Sequence, residues 1–182
     1  TNDLIEVYKC SNKLMPLVHL PVQSGSNKIL KLMNRNHTIE NYLETFNKLK
    51  EINPKIEFSS DFIIAYPGEE NQDFEDTLDL IKKVKFINSF SYIFSARPGT
   101  PAFNFKKIDQ QETKTRLIEF QNIAEKIKTI YRKNLINKNV NVLFENKIKN
   151  ENKYFGRDEY YNAVIVESNS CLIGKIKKIK IA

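Results

Sequence analysis

Three short runs constrain this chain more than anything else in it: LVHLPV at 17–22, IEFSSDFIIAY at 56–66 and FSYIFSA at 90–96. Each is rich in β-branched or aromatic residues, and each is a strand by type. Helical periodicity fills the gaps between them. Ile39, Tyr42, Leu43, Phe46 and Leu49 recur on one face after the N-cap candidate Thr38, and Phe74, Leu78, Ile81 and Val84 do so in the next interval. Strand, helix, strand, helix, strand at this spacing predicts parallel βαβ units with right-handed crossovers, hence an α/β fold.

A long helix is expected next. Asp109 and Glu112 read as a capping box, and Leu117, Phe120, Ala124, Ile127 and Tyr131 carry an apolar stripe toward Leu135. The pattern then changes to short alternating pieces, VNVLFE, NAVIVE and GKIKKIKI, which predict a small antiparallel β module. The expected division is 1–136 for the α/β part with its long helix and 137–182 for the β module. At 182 residues, 41% hydrophobic and 28% charged, the chain has enough apolar content for such cores. It opens on Thr1, and Asp3-Leu4-Ile5-Glu6 reads as a capping box, which suggests a start inside a larger protein.

Charge is unevenly spread. The net charge is +7, and residues 134–182 hold nine Lys or Arg against five acids, so +4 lies in that quarter. A polyanion partner follows, nucleic acid ahead of membrane, with a solvated lysine-rich face as the alternative. The two cysteines, Cys10 and Cys171, suit neither a disulfide framework nor a metal cluster, and a reducing, cytoplasmic setting is expected. No apolar run reaches the roughly 18 residues of a spanning helix, so no membrane partner is expected.

In an α/β sheet, ligands gather beyond the carboxyl ends of the strands. Each run here ends in a loop of small, polar or turn residues: Gln23-Ser24-Gly25-Ser26, Pro67-Gly68-Glu69-Glu70 and Arg97-Pro98-Gly99-Thr100-Pro101. All three should open on one rim. Asp61 stands inside the second run; facing inward, it needs either a structural hydrogen bond to a neighbouring strand or a ligand hydroxyl. His19 and His37 read as structural, with no cysteine or acid spaced to complete a metal site.

The stretches HLPVQSGSNKILKLMNRNHT, SSDFIIAYPGE and FSYIFSARPGTPA, in that order, resemble the second half of the radical SAM domain of the methylthiotransferases, closest to the MiaB type that acts on tRNA. The segment with GRDEYYNAVIV and GKIKKIKI resembles the family's carboxy-terminal TRAM domain. The resemblance implies a partial radical SAM (β/α) barrel followed by a TRAM-like RNA-binding unit that stops short of its last strand. It also implies methylthiolation of carbon 2 of an isopentenylated adenosine beside the anticodon, with S-adenosyl-L-methionine and two [4Fe-4S] clusters as cofactors. The CxxxCxxC that would hold a cluster is absent, so the cluster ligands are expected in a missing amino-terminal half and the chain alone is expected to be inactive. Ala65 stands where the family often has Gly, and Glu70 where Thr is common.

Carried over by position, Gln23, Ser24, Ser60, Asp61, Ser95 and Ala96 become cofactor-binding candidates. Ser60 and Asp61 are expected to reach the cofactor from inside the barrel, and Ser95 and Ala96 to end the third run with backbone groups for adenine. Arg97 is the candidate for the RNA side, because a guanidinium pairs a phosphate or stacks on a base; a loop-fixing bond is its alternative. Arg35 is a second candidate, or a helix C-terminal cation. Tyr154, Arg157, Tyr161, Lys175, Lys177 and Lys178 combine stacking faces with phosphate-seeking charge, unless the tyrosines are module core. Two other readings stay open: a catalytically inactive RNA-binding remnant, and a methylthiotransferase of the same family that acts on a ribosomal protein. Arg97 favours tRNA over the latter.

Overall fold

The computed structural model describes residues 2–11 and 13–182. Helix α1 (Asn2–Cys10) leads to strand β1 (Leu17–His19), the short α2 (Asn27–Leu32) and α3 (Ile39–Ile52). Strand β2 (Glu57–Ile64), α4 (Asn71–Val84) and β3 (Asn88–Ile93) follow, then a 3-10 turn (Pro101–Asn104) and the long α5 (Gln110–Lys133). The remainder is β4 (Asn139–Lys147), β5 (Lys153–Asp158), β6 (Ala163–Glu167) and β7 (Ile176–Lys180). The strands form two sheets: β1-β2-β3, all parallel, and β6-β5-β4-β7, all antiparallel. The expected α/β architecture with a small antiparallel unit is what forms.

Alternation along β2 decides which side is core. Phe58, Phe62 and Ile64 are buried against Leu49 of α3, Leu78 and Ile81 of α4 and Phe120 of α5. The ring of Phe62 lies 4.7 Å from that of Phe120 and 5.5 Å from that of Phe86, so α5 is seated by aromatic contact across the sheet's covered face. Truncating Phe62 to alanine there costs about 3–5 kcal/mol. The odd positions of β2, with His19 of β1 and Phe90 and Tyr92 of β3, belong to the other face, where Phe90 and Tyr92 are 48% and 58% exposed.

The helix ends follow local chemistry with two departures. Thr38 caps α3, its hydroxyl accepting from Asn41 N while the Asn41 side chain accepts from Thr38 N. Asp109 caps α5 through Gln111 N and Glu112 N, but Glu112 turns to Arg116, so the expected box is only half made. Helix α1 already includes Asn2, so Asp3 is a first-turn acid and not its cap.

The antiparallel unit packs Val140, Val142, Phe144, Tyr154, Val164 and Leu172 between its strands. It meets the α/β part where Tyr160 Oη donates to Lys55 O at 3.0 Å and the Tyr131 and Tyr160 rings lie 6.1 Å apart.

Candidate functional site

The loop after β1 is locked from within. Gln23, at φ 77°, donates its N–H to Asp61 O at 3.0 Å and accepts from Ile63 N at 2.9 Å, so it runs on beside β2. Gly25 N donates to Thr77 Oγ1 at 2.8 Å, and a Cβ on Gly25 would overlap the Asp76 carbonyl. Glycine is therefore required by close approach of the loop to α4. Ser26 caps α2 and donates to Asp73 Oδ1 at 2.6 Å, while Lys28 Nζ lies 2.9 Å and Glu70 N 2.8 Å from Asp73 Oδ2. Burial pushes the Asp73 carboxyl up, but Lys28, Ser26 and the Glu70 amide outweigh it and hold the group below its usual value.

The loop after β2 is held by a buried ion pair that sequence reasoning missed. Glu69 Oε1 accepts from Ala65 N at 3.2 Å and from Arg116 Nη1 at 2.7 Å, and Arg116 also donates to Glu69 O at 3.1 Å and Asn71 Oδ1 at 2.8 Å. Glu112 is a further partner, and the guanidinium carbon sits 5.5 Å from the Phe74 ring centroid. Burial pushes the Glu69 carboxyl up, against the pull of Arg116 and the Ala65 amide. The departure at Ala65 now has a physical meaning: its φ of 59° is left-handed, a conformation glycine takes freely and alanine takes at about 1 kcal/mol.

Between these loops lies the uncovered sheet face. His19 Nδ1 is 2.9 Å from Ser59 Oγ, and its Nε2 is 3.4 Å from Asp61 Oδ2. The imidazole thus links two adjacent inward side chains of β2, with the Phe90 ring 6.2 Å away. His19 was expected to be structural only; it stands on the open face.

Two of the candidate serines have their hydroxyls engaged inside the fold. Ser60 is fully buried on the helix side of β2, accepting from Val22 N at 3.0 Å and donating to Leu20 O at 2.8 Å. Strand alternation makes Ser59, not Ser60, the neighbour of Asp61 on the inner face. Ser24 is 1% exposed, and its Oγ accepts from Ser26 N at 3.2 Å within the loop.

The third run ends earlier than expected, at Ile93, so exposed Ser95 and half-buried Ala96 lie in the loop beyond β3. Arg97 is exposed there; its carbonyl accepts from Thr100 N at 3.3 Å and Thr100 Oγ1 at 2.7 Å, so the loop is fixed through its backbone and not its guanidinium. Gln23 lies directly beside Asp61, and Arg97 follows the same carboxyl edge of the parallel sheet. Arg35 is exposed just after α2, its N–H donating to Leu30 O at 2.9 Å.

In the antiparallel unit, Tyr154 takes the core alternative at 5% exposure, so it offers no stacking face. Tyr161 is 57% exposed. Arg157 Nη1 donates to both carboxylate oxygens of Glu145, at 3.0 and 2.9 Å. Lys175, Lys177 and Lys178 are exposed at and before β7, with Lys180 beyond them, and none makes an ion pair among the described residues.

Residues 2–81 match the radical SAM superfamily. Over 181 residues the chain is 59% identical to a tRNA-2-methylthio-N(6)-dimethylallyladenosine synthase of Pelagibacter ubique, covering 100% of this chain and 41% of that protein. Proteins of the same name from Rickettsia conorii (42% identical over 182 residues) and Paracoccus denitrificans (38% over 180) match 99% of this chain and 41% and 40% of their own lengths. The chain therefore spans about two fifths of the curated relatives it matches. The resemblance read from the three strand motifs is borne out.

Proposed function

We propose that this chain, whose residues 2–81 match the radical SAM superfamily, is the carboxy-terminal part of a tRNA methylthiotransferase that installs a methylthio group on carbon 2 of isopentenylated adenosine. The uncovered parallel face carries this reading. Parallel sheets are almost always buried on both sides, yet this one leaves exposed His19 and half-buried Asp61 beside exposed Phe90 and Tyr92, with buried Ser59 bonded to the imidazole. Such a face calls for an occupant with both hydroxyl groups and flat apolar surface.

S-adenosyl-L-methionine fits that donor set, and when bound it supplies the hydrogen-abstracting power of the reaction. Asp61 would accept from a ribose hydroxyl, Gln23 would offer its amide beside it, and the backbone at Ser95 and Ala96 would meet adenine. His19 and Ser59 orient Asp61. Ser60 acts one step back, tying the segment before Gln23 to β2 through Val22 N, and Ser24 braces the loop internally through Ser26 N.

Iron–sulfur clusters do not fit the residues present. A cluster needs several thiolates close together, and the two cysteines lie apart, exposed Cys10 on α1 and exposed Cys171 between β6 and β7. In this reading the two [4Fe-4S] clusters of the complete enzyme are held by its other part, which also closes the open face. Residues 137–182 serve as a TRAM-like unit that grips tRNA through Lys175, Lys177 and Lys178, while Arg97 and Arg35 meet RNA at the rim. None of the helices among the described residues is long and apolar enough to cross a membrane. In this reading a cytoplasmic setting follows from tRNA as the substrate.

The test is a chimaera in which this chain replaces the matching part of the Pelagibacter ubique relative. After anaerobic cluster reconstitution, tRNA should gain the 2-methylthio mark by mass spectrometry, and Asp61→Ala should remove it while leaving the cluster absorbance intact. A folded, cluster-loaded chimaera that leaves tRNA unmodified would overturn the proposal.

A further inference from the structure

The outward face of the antiparallel sheet is not simply basic. Alternation along β5 places Tyr154, Gly156 and Asp158 inward and Lys153, Phe155 and Arg157 outward. Opposite Arg157 stands Leu143 of β4, which faces Ile176 of β7 in turn; opposite Phe155 stands Ile165 of β6. Leu143, Ile165 and Ile176 are 45%, 58% and 66% exposed. A surface built only to attract phosphates has no use for these aliphatic side chains.

At its centre is a stack. The Arg157 guanidinium carbon lies 5.3 Å from the Phe155 ring centroid and 4.9 Å from that of Tyr161. Its charge is already engaged by Glu145 through two hydrogen bonds. Arg157 is thus poorly placed to neutralise a phosphate and well placed to support a ring.

Tyr161 is held there against its backbone preference. Its φ is 65°, in the left-handed region that suits glycine or asparagine and strains an aromatic residue. Buried Asp158 enforces the turn, accepting from Tyr160 N and Asn162 N at 2.8 Å each and from Asn162 Nδ2 at 2.9 Å. The neighbouring Tyr160 points the other way, to Lys55. Of two successive tyrosines, one joins the two halves of the molecule and the other is displayed.

We propose that Tyr161, supported by Arg157 and Phe155, is a stacking platform for an unpaired nucleotide of the bound RNA, with Lys178 and Lys180 reaching its flanking phosphates. This rests on the RNA-binding reading of the unit and names the part of the RNA it takes. A duplex keeps its base faces stacked and offers phosphate and ribose, which lysines alone can hold. An unpaired base offers the flat apolar face that the exposed ring and its aliphatic neighbours match. Four lysines in β7 and its approach, without acidic partners among the described residues, favour this polyanion over a protein partner.

The experiment titrates the chain with a short single-stranded oligoribonucleotide containing 2-aminopurine and, separately, with a blunt RNA duplex, at low salt. Wild type should quench the 2-aminopurine on binding. Tyr161→Ala and Tyr161→Gly should each weaken the single strand about tenfold and abolish the quench, leaving the duplex unchanged. Tyr161→Phe should keep both, and Arg157→Lys, which keeps the charge but not the stacking plane, should resemble Tyr161→Ala. Glycine accepts φ of 65° without strain, so Tyr161→Gly should melt no lower than wild type and guards against loss of folding. Unchanged single-strand binding in the Tyr161 variants, or equal loss for both RNAs, overturns the platform alone. Failure of wild type to bind either RNA overturns the RNA reading with it, and self-association lost in Tyr161→Ala would assign the face to a second copy and overturn it too.

Discussion

The two sheets each leave one face open, but they do so with opposite chemistry. The parallel sheet opens on a polar centre, His19 between Ser59 and Asp61, bordered by Phe90 and Tyr92. The antiparallel sheet opens on Leu143, Ile165 and Ile176 around a stacked arginine, edged with lysines. An antiparallel sheet with one solvated face is ordinary; a parallel one is not. The first face is thus incomplete without an occupant, while the second is complete and waits for a ligand. Their supports differ as well: the parallel rim is tied by ion pairs between elements distant in sequence, Glu69–Arg116 buried and Lys28–Asp73 half-exposed, the antiparallel face by a local turn around Asp158.

That difference is broken most sharply at Arg116. Arg116→Ala leaves Glu69 buried, 1% exposed in its side chain, without its cation. Destabilisation of about 3–5 kcal/mol is expected in urea unfolding, because a buried charge is left uncompensated. Hydrogen exchange should quicken across 65–70 and the start of α4 while β4, β5 and β6 keep their protection. Arg116→Met combined with Glu69→Leu should recover much of the loss. Uniform loosening of both sheets would show that the two supports are not separate.

The contrast also explains what the sequence could and could not show. Strands, helices and the shared rim were legible because each rests on a local signal: Phe74, Leu78 and Ile81 mark one face of α4, and Thr38 marks the cap of α3. The Glu69–Arg116 pair was not, since its partners are 47 positions apart and Arg116 sits in an ordinary amphipathic helix. The direction in which Ser60 points is a subtler matter. In Phe58-Ser59-Ser60-Asp61-Phe62, only Phe58 and Phe62 reveal the parity of the strand, and Ile63-Ile64 blurs it. Tyr154 was ambiguous for the same reason: its neighbour Phe155 is aromatic too, and only Val142, Phe144 and Val164 across the sheet decide that Tyr154 is the inner one.

A second break uses pH. Asp73 has its folded carboxyl held below its usual value, so the stability it contributes is present above the unfolded value of about 3.9 and is lost as pH falls through the folded one. Asp73→Asn should therefore cost about 1.5–3 kcal/mol at neutral pH, the scale of hydrogen bonds to a charged group. The penalty should shrink below about pH 4. Denaturant melts across that range provide the check, and a cost independent of pH would locate the effect in packing and not in the Lys28–Asp73 pair.

The smallest expected effect separates the open antiparallel face from the covered helical side. Lys178 stands opposite Asn141 on the proposed RNA face, whereas Lys114 is equally exposed on α5. If Lys178 meets a phosphate, Lys178→Ala should reduce the slope of log affinity for tRNA against log salt by about 0.7–0.9, one counterion's share, while Lys114→Ala should leave it unchanged. Because counterion release and not a specific bond is at stake, Lys178→Arg should restore the slope. Equal reductions from Lys178→Ala and Lys114→Ala would mean that RNA senses only the net charge of the molecule, and the antiparallel face would lose its claim to be the binding surface.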